Sequence, residues 1–209
     1  MDRRLRVGHT LIKVCGVTRP ADAEAAARAG VDAIGVNLWP GSKRYVDRPA
    51  ALEVFAVLPS SVERFGVFVD ASVEEVRSAM AELSLDRAQL HGQESDIHRY
   101  GERAFKAVRL AGAEVVDGLG QWPGPFVLVD AYEPGRPGGT GRIADWALAA
   151  RAARIRGVWL AGGLTPENVA EAIRQVHPLG VDVASGVERS PGIKDNYLIE
   201  AFVQAARSA

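Results

Sequence analysis

The chain has 209 residues, with 25 Lys and Arg against 26 Asp and Glu, a net charge of -1 and a hydrophobic fraction of 47%. This balance leaves no basic footprint for a nucleic acid or an anionic membrane surface, and no run of about eighteen apolar residues is present to cross a bilayer. The single cysteine cannot close an intramolecular disulfide, so the expected compartment is the reducing cytoplasm.

By size scaling the chain should bury about 70% of its unfolded surface. It is expected to form one domain over 1–209, with 1–10 as a short extension. The opening "MDRRLRVGHTLIKVCG" is basic, but Lys13 interrupts its apolar segment and makes it a poor signal peptide.

The elements follow in chain order. "LIKVC" (11–15) reads as a strand. "TRPADAEAAARAG" then offers Thr18 as helix cap, Pro20 in the first turn and Gly30 as the stop. "VDAIGVNL" (31–38) is the second strand, and a helix is expected around 49–58. "FGVFVD" (65–70) precedes "DASVEEVRSAMAEL", a helix whose start is marked by Asp70, Ser72 and early acids. "DRAQLH" (86–91) and "FKAVRL" (105–110) are strands four and five, each followed by a short helix. "FVLVDA" (126–131) precedes the helix "DWALAARAARI". "GVWLAG" (157–162) precedes "TPENVAEAIRQV", with Thr165 and Pro166 at its start. "GVDVAS" (180–185) precedes a last helix over 194–206.

Near-continuous apolar strands are the mark of a parallel sheet covered on both faces. Eight strand–helix repeats in this length predict an α/β fold, a single (β/α)8 TIM barrel. An open doubly wound sheet would usually have fewer strands. Function is therefore expected at the C-terminal strand ends: Cys15, Asn37, Asp70, His91, Arg109, Asp130, Gly162-Gly163 and Ser185-Gly186. The strand interiors read as apolar.

Each of these positions admits a structural and a functional reading. Gly162, Gly163 and Gly186 either permit tight turns or let backbone N–H groups surround an anion, and loops seven and eight are the frequent phosphate site of barrels. Asp130 either braces the glycine-rich loop that follows it or acts as a general acid or base. Arg44, in "PGSKRYVDRP", either is solvated or forks onto a carboxylate or phosphate. A lone strand-end His91 is more often structural. Cys15 alone reads as a small buried hydrophobe, whereas at a barrel mouth it becomes a candidate base. No His, Cys or carboxylate spacing indicates a metal, and neither a GxGxxG fingerprint nor a Walker loop is present.

Taken in order, the motifs resemble the phosphoribosylanthranilate isomerase family of tryptophan biosynthesis. They are "KVCGVT" (13–18), "SKRYV" (42–46), "FGVFVD", "QLHG" (89–92), "LVDAYEPGRPGGTG" followed by "DW" (145–146), "GGLTPENV" and "DVASGVERSPGIKD". The set spans roughly 11 to 206. It departs at Val36-Asn37, where many members carry Phe-Val, and in the N-terminal extension.

The resemblance implies a cofactor-free Amadori rearrangement, an aldose-to-ketose isomerisation of a small-molecule substrate by a monomer or homodimer. It assigns the base to Cys15 and the acid to Asp130, which asks for a lowered thiol pKa and a raised carboxyl pKa. Arg44 would hold the anthranilate carboxylate, Gly162, Gly163, Ser185 and Gly186 the phosphate, and His91 would be a secondary pocket residue. One alternative is a related phosphosugar isomerase. The histidine-pathway type uses aspartates at strands one and five, where Cys15 and Arg109 stand here. Another is a non-catalytic phospholigand-binding barrel.

Overall fold

The computed structural model describes residues 9–93, 97–130 and 146–209. Eight strands form its centre: β1 (Leu11–Cys15), β2 (Ala33–Asn37), β3 (Glu63–Val69), β4 (Arg87–His91), β5 (Ala104–Arg109), β6 (Phe126–Asp130), β7 (Gly157–Ala161) and β8 (Gly180–Val183). They pair in parallel in sequence order, and β8 returns to β1 through the register Leu11 to Gly180 and Val14 to Val183. The closed (β/α)8 barrel is the expected architecture.

Helices α1 (Pro20–Ala29), α2 (Arg48–Ala56), α3 (Val73–Glu82), α4 (Ala113–Asp117), α5 (Trp146–Ile155), α6 (Val169–Val176) and α7 (Asn196–Arg207) connect or follow the strands. Among the described residues, β4 is followed by a 3-10 turn, Ile97–Tyr100, and α4 is a short helix, so both segments are as brief as the sequence suggests. Among the described residues a two-stranded antiparallel hairpin, β9 (Glu188–Ser190) with β10 (Ile193–Lys194), was not anticipated. It takes Lys194 out of the helix expected over 194–206, which begins instead at Asn196. The N-terminal extension lies outside the described residues up to position 8.

Local signals explain most element ends. Ser72 and Glu75 close a reciprocal capping box at the start of α3. Gly30 ends α1 with φ 91°, a left-handed conformation that glycine adopts without a side-chain penalty. Thr18, however, does not cap α1. Arg19 occupies the cap position, and the Thr18 hydroxyl instead donates to the Gly192 carbonyl at 2.6 Å, tying the first loop to the β9–β10 hairpin. Similarly, α6 begins at Val169 rather than at Thr165-Pro166. The Thr165 N–H donates to Asn168 Oδ1, and this side-chain bond holds residues 165–168 in a turn ahead of the helix.

Two cores result from the two faces of the sheet. Outward-facing residues such as Ile12, Val14, Ile34, Leu90 and Val129 pack against buried helix faces including Val76, Ala149, Ile173 and Phe202. Inside the barrel, Phe65, Phe105, Phe126 and Trp159 form an aromatic plug, with ring centroids 4.7 to 6.1 Å apart. These aromatic side chains fill the narrow lumen, as barrel interiors of this size require.

The strand interiors are not uniformly apolar, contrary to the sequence reading. Lys13, Gln89, Lys106 and Asp182 are buried within β1, β4, β5 and β8. Their polar atoms are satisfied inside the protein, so a strand can carry them without exposure: Lys13 bonds Gln89 and Asp182, and Lys106 donates to the Gly92 carbonyl.

Candidate active site

Side chains alternate along a strand, so the interior face can be followed to the barrel mouth. Lys13 is interior and wholly buried, which places Cys15, two residues on, on the same face at the end of β1. Gln89 reaches Lys13 across the lumen, so His91 shares its face at the end of β4. Phe126 and Leu128 belong to the interior cluster, and Asp130 continues their face at the end of β6. In the closed order β6 lies three strands from β1, so Cys15 and Asp130 flank the mouth from opposite sides. The loop 131–145, read from sequence as a possible cover for a substrate, lies outside the described residues.

The two glycine loops meet at this end. Gly162 and Gly163 follow β7 with φ of 98° and 65°, which side chains rarely adopt. Ser185 opens a 3-10 turn, Ser185–Val187, immediately after β8. A β-carbon on Gly186 would run into the Leu164 carbonyl oxygen and lie 3.2 Å from Thr165 Cα. The loops after β7 and β8 are thus in backbone contact, made possible by a missing side chain. The Asn168 amide donates to the Gly163 carbonyl at 2.9 Å and steadies the first of them.

Arg44 reaches the mouth from the β2–α2 loop. Its Cβ and Cγ lie 3.3 Å from the place a β-carbon on Gly16 would occupy, so the stem runs over the turn that follows Cys15. The sequence reading of an available fork needs correction. Nε and Nη2 donate to Glu188 Oε1 and Oε2 at 2.8 and 2.6 Å, and that bidentate edge is taken. Nη1 is the guanidinium nitrogen that Glu188 does not engage. Glu188 also accepts from Lys194 Nζ at 2.8 Å. Burial works against its carboxylate, but Arg44 and Lys194 outweigh that and hold its pKa below the usual range.

Beneath the mouth lies a buried polar layer that sequence reasoning missed. Lys13 Nζ donates to Asp182 Oδ1 and to Gln89 Oε1, both at 2.9 Å. An ammonium only donates, so the Gln89 oxygen must face it and the amide nitrogen faces His91 Nε2 at 2.7 Å. His91 therefore accepts at Nε2 and carries its proton on Nδ1. Burial, then the charges of Lys13 and Lys106, push its pKa down to about 4, so the ring is neutral at physiological pH.

For Cys15 the direction is the reverse of the expected lowering. Burial pushes the thiol above its ordinary range, Lys13 pulls it down, Asp182 pushes it up and Lys194 pulls it down. Burial disfavours the charged form and outweighs the cations. The thiol is therefore the resting form at neutral pH.

A spacing signal for this layer was available: Lys13 and Gln89 each precede a strand-end candidate by two residues, and hence share its face. Gly35, the β2 partner of Cys15, was also missed. Other strand ends brace the loops. Asp70, at φ 49°, accepts the Gln93 N–H on Oδ1, and Asn37 accepts the Trp39 N–H. Among the described residues no group of three His, Cys, Asp or Glu side chains could hold a metal, and no helix is long and apolar enough to cross a membrane.

Comparison with known proteins agrees with this geometry. Residues 12–205 match the family model for N-(5'phosphoribosyl)anthranilate (PRA) isomerase. A relative named N-(5'-phosphoribosyl)anthranilate isomerase from Magnetococcus marinus is 45% identical over 200 residues, covering 95% of each chain. The crystal structure of phosphoribosyl anthranilate isomerase from Thermotoga maritima superposes with a TM-score of 0.87 at 36% identity, covering 96% of this chain and 100% of that one. A phosphoribosyl anthranilate isomerase in complex with reduced 1-(o-carboxyphenylamino)-1-deoxyribulose 5-phosphate gives a TM-score of 0.84 at 34% identity, with the same coverage. With the barrel closed and residues 12–205 matched to the family model, this chain belongs to the N-(5'-phosphoribosyl)anthranilate isomerase family.

Proposed function

We propose that the chain converts N-(5'-phosphoribosyl)anthranilate to 1-(2-carboxyphenylamino)-1-deoxyribulose 5-phosphate, the isomerisation of tryptophan biosynthesis. The observation that carries this reading is the placement of Cys15 and Asp130 on the interior face at opposite sides of the mouth, within a chain of this family. The reaction needs one group that gives a proton and one that takes a proton, both over the sugar. Asp130 protonates the furanose ring oxygen, and the C1'–O bond breaks to leave the Schiff base. Cys15, as thiolate, removes the C2' proton and leaves an enolamine. Protonation at C1' and loss of the C2' hydroxyl proton give the ketone. No net electrons move, so the steps call for no redox cofactor.

Substrate anchoring follows from the loops. The backbone around Gly162, Gly163, Ser185 and Gly186 takes the phosphate, the Nη1 end of Arg44 takes the anthranilate carboxylate, and neutral His91 lines the pocket. Holding both ends fixes the reacting carbons over the acid and base. We read residues 1–209 as one domain acting in the cytoplasm, as a monomer or homodimer, without nucleic-acid or membrane partners. The net charge of -1 supports the last point.

The test uses the fluorescence of the anthranilate substrate, which the product largely lacks. Purified protein with chelator present and no added cofactor is expected to extinguish the signal over many turnovers. A stable signal with stoichiometric binding would identify a binding protein instead.

A further inference from the structure

We propose that Lys13 is the positioning residue for the base: its ammonium, clamped by Asp182 and Gln89, is the counter-ion that receives the negative charge when the Cys15 thiol gives up its proton. This rests on the reading of Cys15 as the base.

The geometry supplies the argument. An ammonium has three N–H donors. One goes to Asp182 Oδ1 and one to Gln89 Oε1, each at 2.9 Å, so neither of these two partners needs the third. Below, the centroid of the buried Phe65 ring lies 5.4 Å from Nζ. Beside it, β2 presents Gly35 where the register pairs it with Cys15. Both Lys13 Nζ and Cys15 Sγ lie close to the position a Gly35 β-carbon would take, at 3.2 and 3.0 Å. The two heads therefore share the space left by an absent side chain. Burial opposes the Lys13 ammonium, but Asp182 and then Cys15 outweigh it and hold its pKa above the usual value.

The other charges near Cys15 have different tasks. Lys194, from β10, spends its three donors on the Cys15 carbonyl, the Ala184 carbonyl and Glu188, at 2.6, 3.1 and 2.8 Å. It holds the main chain of the base rather than its sulfur. Arg44 is engaged with Glu188, and His91 on β4 is neutral. Asp182 on β8 opposes the thiolate, Asp130 stands across the mouth on β6, and β2 contributes only Gly35. Lys13 is thus the cation whose head shares the space beside Gly35 with the Cys15 sulfur. A buried ion pair is weak as a stability device compared with apolar packing, and the aromatic layer directly below shows that this lumen accepts apolar packing. The pair is better accounted for by the charge it stabilises.

The chain has one cysteine, so alkylation reports on Cys15 alone. The pH dependence of iodoacetamide alkylation and of kcat/KM would be compared in the wild type, Lys13→Met, and the charge-balanced pair Lys13→Met with Asp182→Asn. In the balanced variant both profiles are expected to move up by about one pH unit or more, with turnover at neutral pH falling about tenfold or more and KM changing less. Asp182→Asn alone is expected to move the alkylation profile down. Unmoved profiles in a variant with native circular dichroism would overturn the proposal. In the wild-type chain, where folding is not in question, the Lys13 15Nζ resonance should shift through the same midpoint as Cys15 alkylation. A resonance indifferent to that ionisation would equally overturn it. A Cys15→Ala enzyme that still turned over would defeat the base assignment itself, which is a different outcome.

Discussion

The floor and the mouth of the barrel are built from the same eight strands, yet they hold opposite kinds of matter. At the floor, the rings of Phe65, Phe105, Phe126 and Trp159 interlock. On β1, β8 and β4, Lys13, Asp182 and Gln89 are equally buried but fully polar. The lower layer contributes stability through area removed from water. The upper layer contributes little and is costly if broken, because removing one charge leaves the other buried without its counter-ion. The contrast shows that this lumen carries buried charge beside Cys15, with an aromatic layer beneath that lowers the local dielectric and strengthens the interactions above.

The largest expected effect is at the mouth. Asp130→Asn should lower kcat by about 10²–10⁴-fold, the range of a lost general acid, with thermal unfolding unchanged within a few degrees. The matching change at the floor, Phe105→Ala, should cost about 3–5 kcal/mol of stability through lost burial and a cavity, while kcat below the unfolding transition stays near wild type. Denaturant unfolding and turnover on both variants would break the comparison if the floor variant lost activity selectively or the mouth variant lost stability.

A pH experiment sharpens it further. His91 has an ordinary pKa of 6.5 and a folded value of about 4, so as pH falls the unfolded chain takes up the proton first. Stability from its neutral form is complete above about 6.5 and is lost progressively towards about 4, by up to about 3 kcal/mol. The thermal midpoint of the wild type should fall more steeply over that window than that of His91→Gln. Parallel curves would remove His91 from the buried polar layer.

The smallest change is Gly35→Ala. Its β-carbon would stand 2.9 to 3.2 Å from Lys13 Cε, Cys15 Sγ and Lys13 Nζ. The expected cost is about 1–3 kcal/mol from overpacking, with a fall in kcat larger than that stability loss would explain. A variant with normal turnover would show that the spacing of Lys13 and Cys15 is not critical.

Much of this architecture was readable from one sequence. The ends of β1 matched the apolar run "LIKVC", and the other strands agreed within a few residues, because buried parallel strands leave short apolar runs between helix starts. The placement of Cys15, Asp130 and the two glycine loops at one end followed from topology alone. What was missed depended on partners distant in sequence. The Arg44–Glu188 fork spans 144 positions and the Lys13–Asp182 pair 169, and no local pattern encodes either. The β9–β10 hairpin had a signal in Pro191-Gly192, a turn-forming pair read only as part of a phosphate loop. The direction of the Cys15 pKa could not be read, since it is set by the balance between burial and two cations.

The most direct measurement of the central claim is single-turnover fluorescence decay with Cys15→Ser. Serine keeps the size of the side chain and its hydrogen-bonding capacity, but its hydroxyl does not ionise to a usable base in this environment. The account predicts substrate bound with near-normal affinity and converted about 10²–10⁴-fold more slowly than by the wild type. Conversion at a rate close to wild type would contradict Cys15 as the base.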